Sequence, residues 1–136
     1  MEVAEKTWGL MKKKVLVIED NADHQAIIKS SLVSRNYLVV CADNPSDALH
    51  YLLDEKIDLI ILDLWLPEMD GLSFLKDLKN VPEFSEIPVI VTSGTFGSEY
   101  DILKLNGYGV REFFMKPYDP AELVETVGSL LKKTVD

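Results

Sequence analysis

The sequence lacks several features that would assign it to a class. It has one cysteine, Cys41, among 136 residues, which excludes an internal disulfide and fits a reducing compartment. No apolar run approaches the roughly 20 residues that cross a bilayer, and the N-terminus has no signal-peptide core. Only 14 basic residues stand against 23 acidic ones, a formal net charge of -9. We therefore expect a cytoplasmic protein that contacts neither nucleic acid nor a membrane directly.

The length and composition are those of one globular domain. Apolar residues make up 47% of the chain and charged residues 27%, which is ordinary for a soluble core of this size. We find no internal repeat and no low-complexity segment. We expect residues 1–12 to form a flexible N-terminal extension and residues 13–136 to form the folded domain, with no second domain after it.

Short apolar runs alternate with amphipathic segments along the chain. Leu59-Ile60-Ile61-Leu62 ends in Asp63, and a similar run ends in Glu19. Such runs are typical of strands that are buried on both faces of a parallel sheet. The predicted strands are residues 15–18, 38–42, 59–63, 87–91 and 112–115. Helices are predicted at about 22–35 and 98–105, and after the capping residues Asn44, Asp70 and Asp119.

Strand and helix alternate five times, which predicts an α/β fold with a doubly wound parallel sheet and helices on both faces. The apolar residues of the first two helices recur at helical spacing and should face this sheet. They are Ala26, Ile27, Ile28, Leu32 and Val33 in the first helix, and Ala48, Leu49, Leu52 and Leu53 in the second.

Polar residues follow the predicted strands. Parallel sheets place their ligand sites beyond the carboxyl ends of the strands, and these ends carry Glu19-Asp20, Asp63, Ser93 and Lys116. The first and third strands would be neighbours, which brings three carboxylates together. Two like charges about 4 Å apart repel by roughly 4 kcal/mol at an effective dielectric near 20, so the cluster favours a bound cation. Oxygen ligands of this kind suit Mg²⁺.

These residue types suit a carboxylate that accepts a phosphoryl group. Asp63 would be the nucleophile, the metal and Lys116 would neutralise the phosphoryl oxygens, and Ser93 would donate a hydrogen bond to the bound phosphate. Each residue alone also fits a solvated turn or loop. The convergence of several strand ends on one edge of the sheet favours a site.

With these motifs in this order, the chain resembles the receiver domain of bacterial two-component response regulators. The motifs are Glu19-Asp20, Asp63 followed by Leu66-Pro67-Glu68-Met69-Asp70-Gly71, Ser93-Gly94 and Lys116-Pro117, within about residues 13–133. The resemblance implies a flavodoxin-like (βα)5 sandwich with strand order 2-1-3-4-5. It implies a signalling switch, not an enzyme, in which Asp63 becomes a 4-aspartylphosphate. The donor would be the phosphohistidine of a sensor histidine kinase or phosphotransfer protein.

The resemblance also implies how the site works. Asp20, Asp63 and the backbone carbonyl of Trp65 would hold Mg²⁺, with Glu19 acting through water, and the peptide bond before Pro117 would be cis. Ser93 would move toward the phosphate while Phe113 turns inward. This switch would change the surface of the fourth helix, fifth strand and last helix, where a downstream protein would bind. We expect a monomer or weak dimer.

The fold alone does not determine the function. A flavodoxin-type nucleotide binder would need a Ser/Thr/Gly-rich phosphate loop where this chain has residues 19–23. A haloacid-dehalogenase-like phosphatase would need a second aspartate at the position of Trp65. Both are disfavoured. Two alternatives stay open: a receiver-like interaction scaffold without phosphate turnover, and a receiver fragment of a larger regulator or hybrid kinase.

Overall fold

The computed structural model describes residues 12–64, 70–94 and 107–132. The predicted N-terminal extension up to residue 11, Trp65 and the helix predicted at 98–105 lie outside these ranges. The elements, in chain order, are β1 (Lys14–Ile18), α1 (Ala22–Val33), β2 (Leu38–Ala42), α2 (Pro45–Asp54), β3 (Leu59–Asp63), α3 (Gly71–Lys79), β4 (Val89–Ser93), β5 (Val110–Met115) and α4 (Pro120–Lys132).

The five strands form one parallel sheet in the order β2-β1-β3-β4-β5, which confirms the predicted fold. β1 and β3 are neighbours, and Ile18 pairs with Leu62. The residues that follow this pair, Glu19 and Asp63, therefore leave the sheet side by side at its carboxyl edge.

Alternate side chains of the central strands enter two apolar layers. Leu16 and Ile60 pack on the side of α2 and α3, whereas Val17 and Ile61 pack on the side of α1 and α4. Residues 59–62 are all buried, as expected for a strand that is covered on both faces. This packing holds the ends of β1 and β3 in one position relative to each other.

The helices begin at the same edge of the sheet, and side chains cap their first turns. Asn44 accepts a hydrogen bond from the Asp47 amide, Asp70 accepts one from Leu72, and Asp119 accepts one from Ala121, which confirms the three predicted caps. Each cap contributes about 1 kcal/mol to helix stability. The capped starts of α2, α3 and α4 therefore lie near the carboxyl ends of the strands.

Some strand and helix bounds differ from the prediction. β4 runs from Val89 to Ser93 rather than from residue 87 to 91, because Pro88 has no N–H to donate and contributes only its carbonyl, to the Ile60 amide. α1 ends at Val33, and Asn36 takes a positive φ of 70° shortly after it. β5 begins two residues early, at Val110, and its pairing with β4 is irregular opposite Val89 and Ile90.

The predicted apolar faces of α1 and α2 are too wide. Ile28 and Leu32 of α1, and Ala48 and Leu52 of α2, are buried, but Ile27 is 49% exposed and Leu53 is 65% exposed. The other predicted core residues that are exposed are Ala26, Val33 and Leu49. The sheet covers only a narrow stripe of each helix, and the spacing of apolar residues in the sequence does not show how wide this stripe is.

The single cysteine, Cys41, is half-buried in β2.

None of the helices in the described ranges has both the length and the apolar character needed to cross a membrane.

Candidate functional site

Lys116 joins two of the predicted carboxylates at the carboxyl edge of the sheet. Its Nζ donates to Glu19 Oε1 at 2.7 Å and to Asp63 Oδ2 at 3.1 Å. Carboxylate oxygens of Glu19, Asp20 and Asp63 lie within 4.8 Å of one another. Glu19 is 2% exposed and Asp63 5%, whereas Asp20 is exposed. The residues that the sequence placed at three strand ends therefore come together.

Backbone hydrogen bonds extend the sheet to the site. The Glu19 amide donates to the Ala42 carbonyl at 3.0 Å, and the Leu64 amide donates to the Thr92 carbonyl at 3.0 Å. The Asn21 amide donates to Glu19 Oε2 at 3.1 Å. The side chain of Glu19 is thus held from two sides, by Lys116 and by the start of α1.

Lys116 reaches the carboxylates from the end of β5. Its amide donates to the Ser93 carbonyl at 2.8 Å, which ties it to the end of β4. The peptide bond between Lys116 and Pro117 is cis, as predicted. Ser93 is fully buried, and its neighbour Thr92 pairs with Asp63. The ends of β3, β4 and β5 thus lie side by side.

The charges at the site perturb one another. Burial raises the pKa of Glu19, although hydrogen bonds from Lys116 and Asn21 act to lower it. Burial alone would lower the pKa of Lys116, but Glu19 and Asp63 more than offset this and raise it. Burial, with the charges of Glu19 and Asp63, raises the pKa of Tyr118 to about 12. Lys116 therefore stays protonated at neutral pH. It places one positive charge beside the three carboxyl groups of Glu19, Asp20 and Asp63.

This donor set fits a hard divalent cation. All the candidate ligand atoms are carboxylate oxygens, and one residue, Asp20, faces solvent where a hydrated ion can enter. Mg²⁺ binds in this way, through a few carboxylates and several waters. The predicted carbonyl ligand, from Trp65, lies outside the described residues.

Phe113, the predicted switch aromatic, is half-buried in β5. It pairs with Val91 of β4, two residues before Ser93, and packs against the apolar layer on the side of α2 and α3. Ser93 and Phe113 thus lie on adjacent strands. Their movement on phosphorylation stays a prediction.

Two residues of α1 at the site were missed by sequence reasoning. His24 Nδ1 lies 3.7 Å from Glu19 Oε1, and Gln25 Nε2 donates to the Glu19 carbonyl at 2.9 Å. Gln25 Nε2 also donates to Asp43 Oδ1 at 2.9 Å. Their position in the sequence could have indicated this. Polar residues in the first turn of a helix that begins at the carboxyl edge of the sheet can contact the residues at that edge.

An apolar groove of about 590 Å³ lies elsewhere, between α2 and α3. Its lining is mainly aliphatic and aromatic, with Asp77 as its charged residue. A reacting site needs convergent polar groups. We therefore place the functional site at the sheet edge and not in this groove.

The chain is similar in sequence and fold to known proteins. The chain is 30% identical over 121 residues to the polar-differentiation response regulator DivK of Brucella anthropi, a match that covers 89% of this chain and 98% of that protein. It is 29% identical to the response regulator GtcR of Aneurinibacillus migulanus, over 93% of this chain and 50% of that protein. The chain spans about half the length of five of the curated relatives that it matches.

A solved structure and a family model agree with these relatives. The crystal structure of a response regulator receiver protein from Pseudomonas putida superposes with a TM-score of 0.81 at 30% identity, covering 87% of this chain and 97% of that one. Residues 15–128 match the model of the response regulator receiver domain. The chain therefore belongs to the receiver domain family of two-component response regulators.

Proposed function

We propose that this receiver domain is a phosphoacceptor switch in which Asp63 takes a phosphoryl group from the phosphohistidine of a sensor histidine kinase or phosphotransfer protein. The supporting observation is the contact of Lys116 with Asp63 and Glu19, with Asp20 beside them. A carboxylate nucleophile, a fixed cationic side chain and a carboxylate cluster for a metal ion are the parts that phosphoryl transfer needs.

Each residue has a distinct role in the proposed reaction. Asp63 attacks phosphorus as the bond to the donor imidazole breaks, and Lys116 then pairs with a phosphoryl oxygen. Mg²⁺, which Asp20, Asp63 and the Trp65 carbonyl would hold with Glu19 acting through water, would neutralise charge on the phosphoryl oxygens. Ser93 moves toward the phosphoryl group and donates a hydrogen bond to it. Phe113 then turns inward. The domain is a switch and turns over only its own phosphate.

We further propose that the protein acts in the cytoplasm as a monomer or weak dimer and signals to a downstream protein. Phosphate would bias a two-state element through contacts that only one state can make. β5, which carries Phe113, forms one edge of the sheet and is part of the surface that would change.

Beryllofluoride, a mimic of the acyl phosphate, tests the proposal. With Mg²⁺ present we expect saturable changes in the NMR amide signals around Asp63 and Ser93, because the mimic occupies the position of the phosphoryl group. We expect no change without Mg²⁺ or in Asp63→Asn. Asp54→Asn, an exposed aspartate at the end of α2, is the matched control and should respond like the wild type. A wild type that does not respond would favour the scaffold alternative.

The donor protein would approach across an apolar surface beside Lys116. A cavity of about 520 Å³ lies there, lined by His24, Ile27, Ile28, Lys116, Pro117, Tyr118 and Pro120. Ile27 is 49% exposed although it is aliphatic, and it lines this cavity together with Lys116, which contacts Asp63. Exposed apolar patches of this kind mark contact surfaces for proteins.

Ile27→Asp tests this approach. We expect phosphotransfer to slow at least ten-fold, because the substitution places a charge in the contact surface. The donor is whichever kinase of a purified panel phosphorylates the wild type fastest, and phosphoramidate serves as a small donor that needs no docking. Leu53→Asp, at a more exposed aliphatic residue of α2, is the control. Equal rates for the two variants with the kinase would refute the proposed surface.

A further inference from the structure

We infer that Gln25 of α1 is a positioning residue for the cation site, because it holds the peptide that joins Glu19 to Asp20. The inference rests on the proposed cation site and adds a residue to it. Gln25 would touch neither the metal ion nor the phosphoryl group. It acts through the backbone of its neighbour.

The amide of Gln25 bridges the ends of two strands. Its Nε2 donates one hydrogen bond to the Glu19 carbonyl and one to Asp43 Oδ1, each at 2.9 Å. A primary amide has two N–H donors, and both are used here. The Gln25 backbone amide also donates to the Asn21 carbonyl at 2.9 Å, in the first turn of α1. The side chain therefore starts from a fixed position on α1 and connects a backbone carbonyl at the end of β1 with a carboxylate at the end of β2.

The Glu19 carbonyl belongs to the same planar unit as the Asp20 amide. A hydrogen bond to this oxygen therefore restricts rotation of the whole Glu19–Asp20 peptide. On the other side of Glu19, its own amide is bonded to the Ala42 carbonyl of β2. The hydrogen bonds of the sheet thus hold the backbone up to the Glu19 amide, and Gln25 holds the next peptide, which leads to Asp20.

Asp20 depends on this restraint more than the other two carboxylates do. Lys116 and the Asn21 amide hold the Glu19 side chain, and Lys116 contacts Asp63. In the parts of the chain described, no side-chain hydrogen bond or ion pair holds Asp20, which is exposed. The positions that its carboxylate can reach are therefore limited by its backbone alone.

Asp43 serves as the outer anchor. It lies just after β2, is exposed, and accepts the second N–H of Gln25. A hydrogen bond to a carboxylate is stronger than one between neutral groups. Asp43 thereby keeps the amide of Gln25 aimed at the Glu19 carbonyl. Outer residues of this kind typically change metal affinity about 10- to 100-fold when they are removed.

Gln25→Met keeps the length of the side chain and removes both donors. We expect the dissociation constant for Mg²⁺, measured by calorimetry, to rise about ten-fold. In the metal-free protein, the NMR amide signal of Asp20 should shift or broaden. Ser30→Met, which introduces the same side chain at an exposed position of α1, should change neither readout. With phosphoramidate as donor, excess Mg²⁺ should restore the rate, since only metal affinity is affected.

Two neutral substitutions at Asp43 provide a second test that does not depend on the stability of Gln25→Met. Asp43→Asn and Asp43→Ala remove the same charge, but only asparagine keeps an oxygen that can accept from Gln25. We expect weaker Mg²⁺ binding in Asp43→Ala than in Asp43→Asn. The difference should vanish when Gln25→Met is added to both, because the anchor then has nothing to hold.

The outcomes separate this inference from the proposed function. If the wild type binds Mg²⁺ and Gln25→Met binds it within two-fold, the inference is wrong and the proposed function stands. If the wild type binds neither Mg²⁺ nor beryllofluoride, the proposed function is wrong. Equal Mg²⁺ affinities for Asp43→Ala and Asp43→Asn would also contradict the inference.

Discussion

Without divalent cations, replacing Lys116 with methionine should lower the free energy of unfolding by about 3–5 kcal/mol, the usual cost of removing one partner from a buried ion pair. The side chain of Lys116 is 17% exposed, and those of Glu19 and Asp63 are 2% and 6% exposed. The substitution leaves two buried carboxylates beside each other with no cation between them. Urea denaturation of both proteins measures the loss.

Mg²⁺ should recover much of this loss. An ion that binds only the folded state stabilises it by about 2.7 kcal/mol at a hundred times its dissociation constant. Lys116 contacts Glu19 and Asp63, two of the candidate ligands, so we expect Mg²⁺ to stabilise the variant more than the wild type. Lys29→Met, at an exposed lysine of α1, should show neither effect. A Lys116→Met protein whose stability does not respond to Mg²⁺ would contradict the proposed cation site.

The pH dependence of the Lys116 contribution follows from its pKa. Burial alone lowers this pKa, but Glu19 and Asp63 raise it above its ordinary value of 10.5. A pKa that is raised on folding means that the protonated form stabilises the fold. The stabilisation is complete below about pH 10.5 and is lost as the pH rises through the folded-state pKa. The difference between wild type and Lys116→Met should therefore persist at neutral pH and shrink in strong alkali.

Gly71→Ala should be the most destabilising glycine substitution tested at the site, with a loss of about 3 kcal/mol in the free energy of unfolding. A Cβ at Gly71 would lie 2.5 Å from the Leu64 carbonyl oxygen and 2.7 Å from its Cα. Both are backbone atoms, so no side-chain rotation relieves the overlap. The Gly71 amide also donates to this carbonyl at 3.0 Å.

Gly94→Ala is the matched control, because no atom of residues 12–64, 70–94 or 107–132 lies within 4 Å of a Cβ at that position. Its stability should change by less than about 0.5 kcal/mol. Leu64 directly follows Asp63, so Gly71→Ala should also weaken beryllofluoride binding. Equal stability of the two alanine variants in urea would show that the close approach of Gly71 to Leu64 is not required for folding.

Local patterns in the sequence were sufficient to place each strand to within two residues and to predict the capping residues of three helices. The apolar run before Asp63 is four residues long and has no polar residue within it. A run of this length and character indicates a strand that is covered on both faces. The side chains of Asn44, Asp70 and Asp119 each bond an amide two or three residues on, so these caps depend on adjacent residues alone. The motifs at the strand ends identified the family, and with it the strand order.

Other features depend on contacts between distant parts of the chain. Ile27 and Ile28 are adjacent and equally apolar, yet only Ile28 is buried, because the sheet covers one stripe of α1. The start of β4 depends on which amides pair with β3. No periodicity in the sequence indicates either result.

The sequence by itself determined the fold class and the residue types of the site, since strand ends in a parallel sheet share one edge. Only the tertiary structure decided how the site is held together. Lys116 lies 97 residues from Glu19 in sequence, and Gln25 lies 18 residues from Asp43. The physical reason is that hydrogen bonds and ion pairs depend on distances in space, and sequence patterns report only the nearest neighbours along the chain.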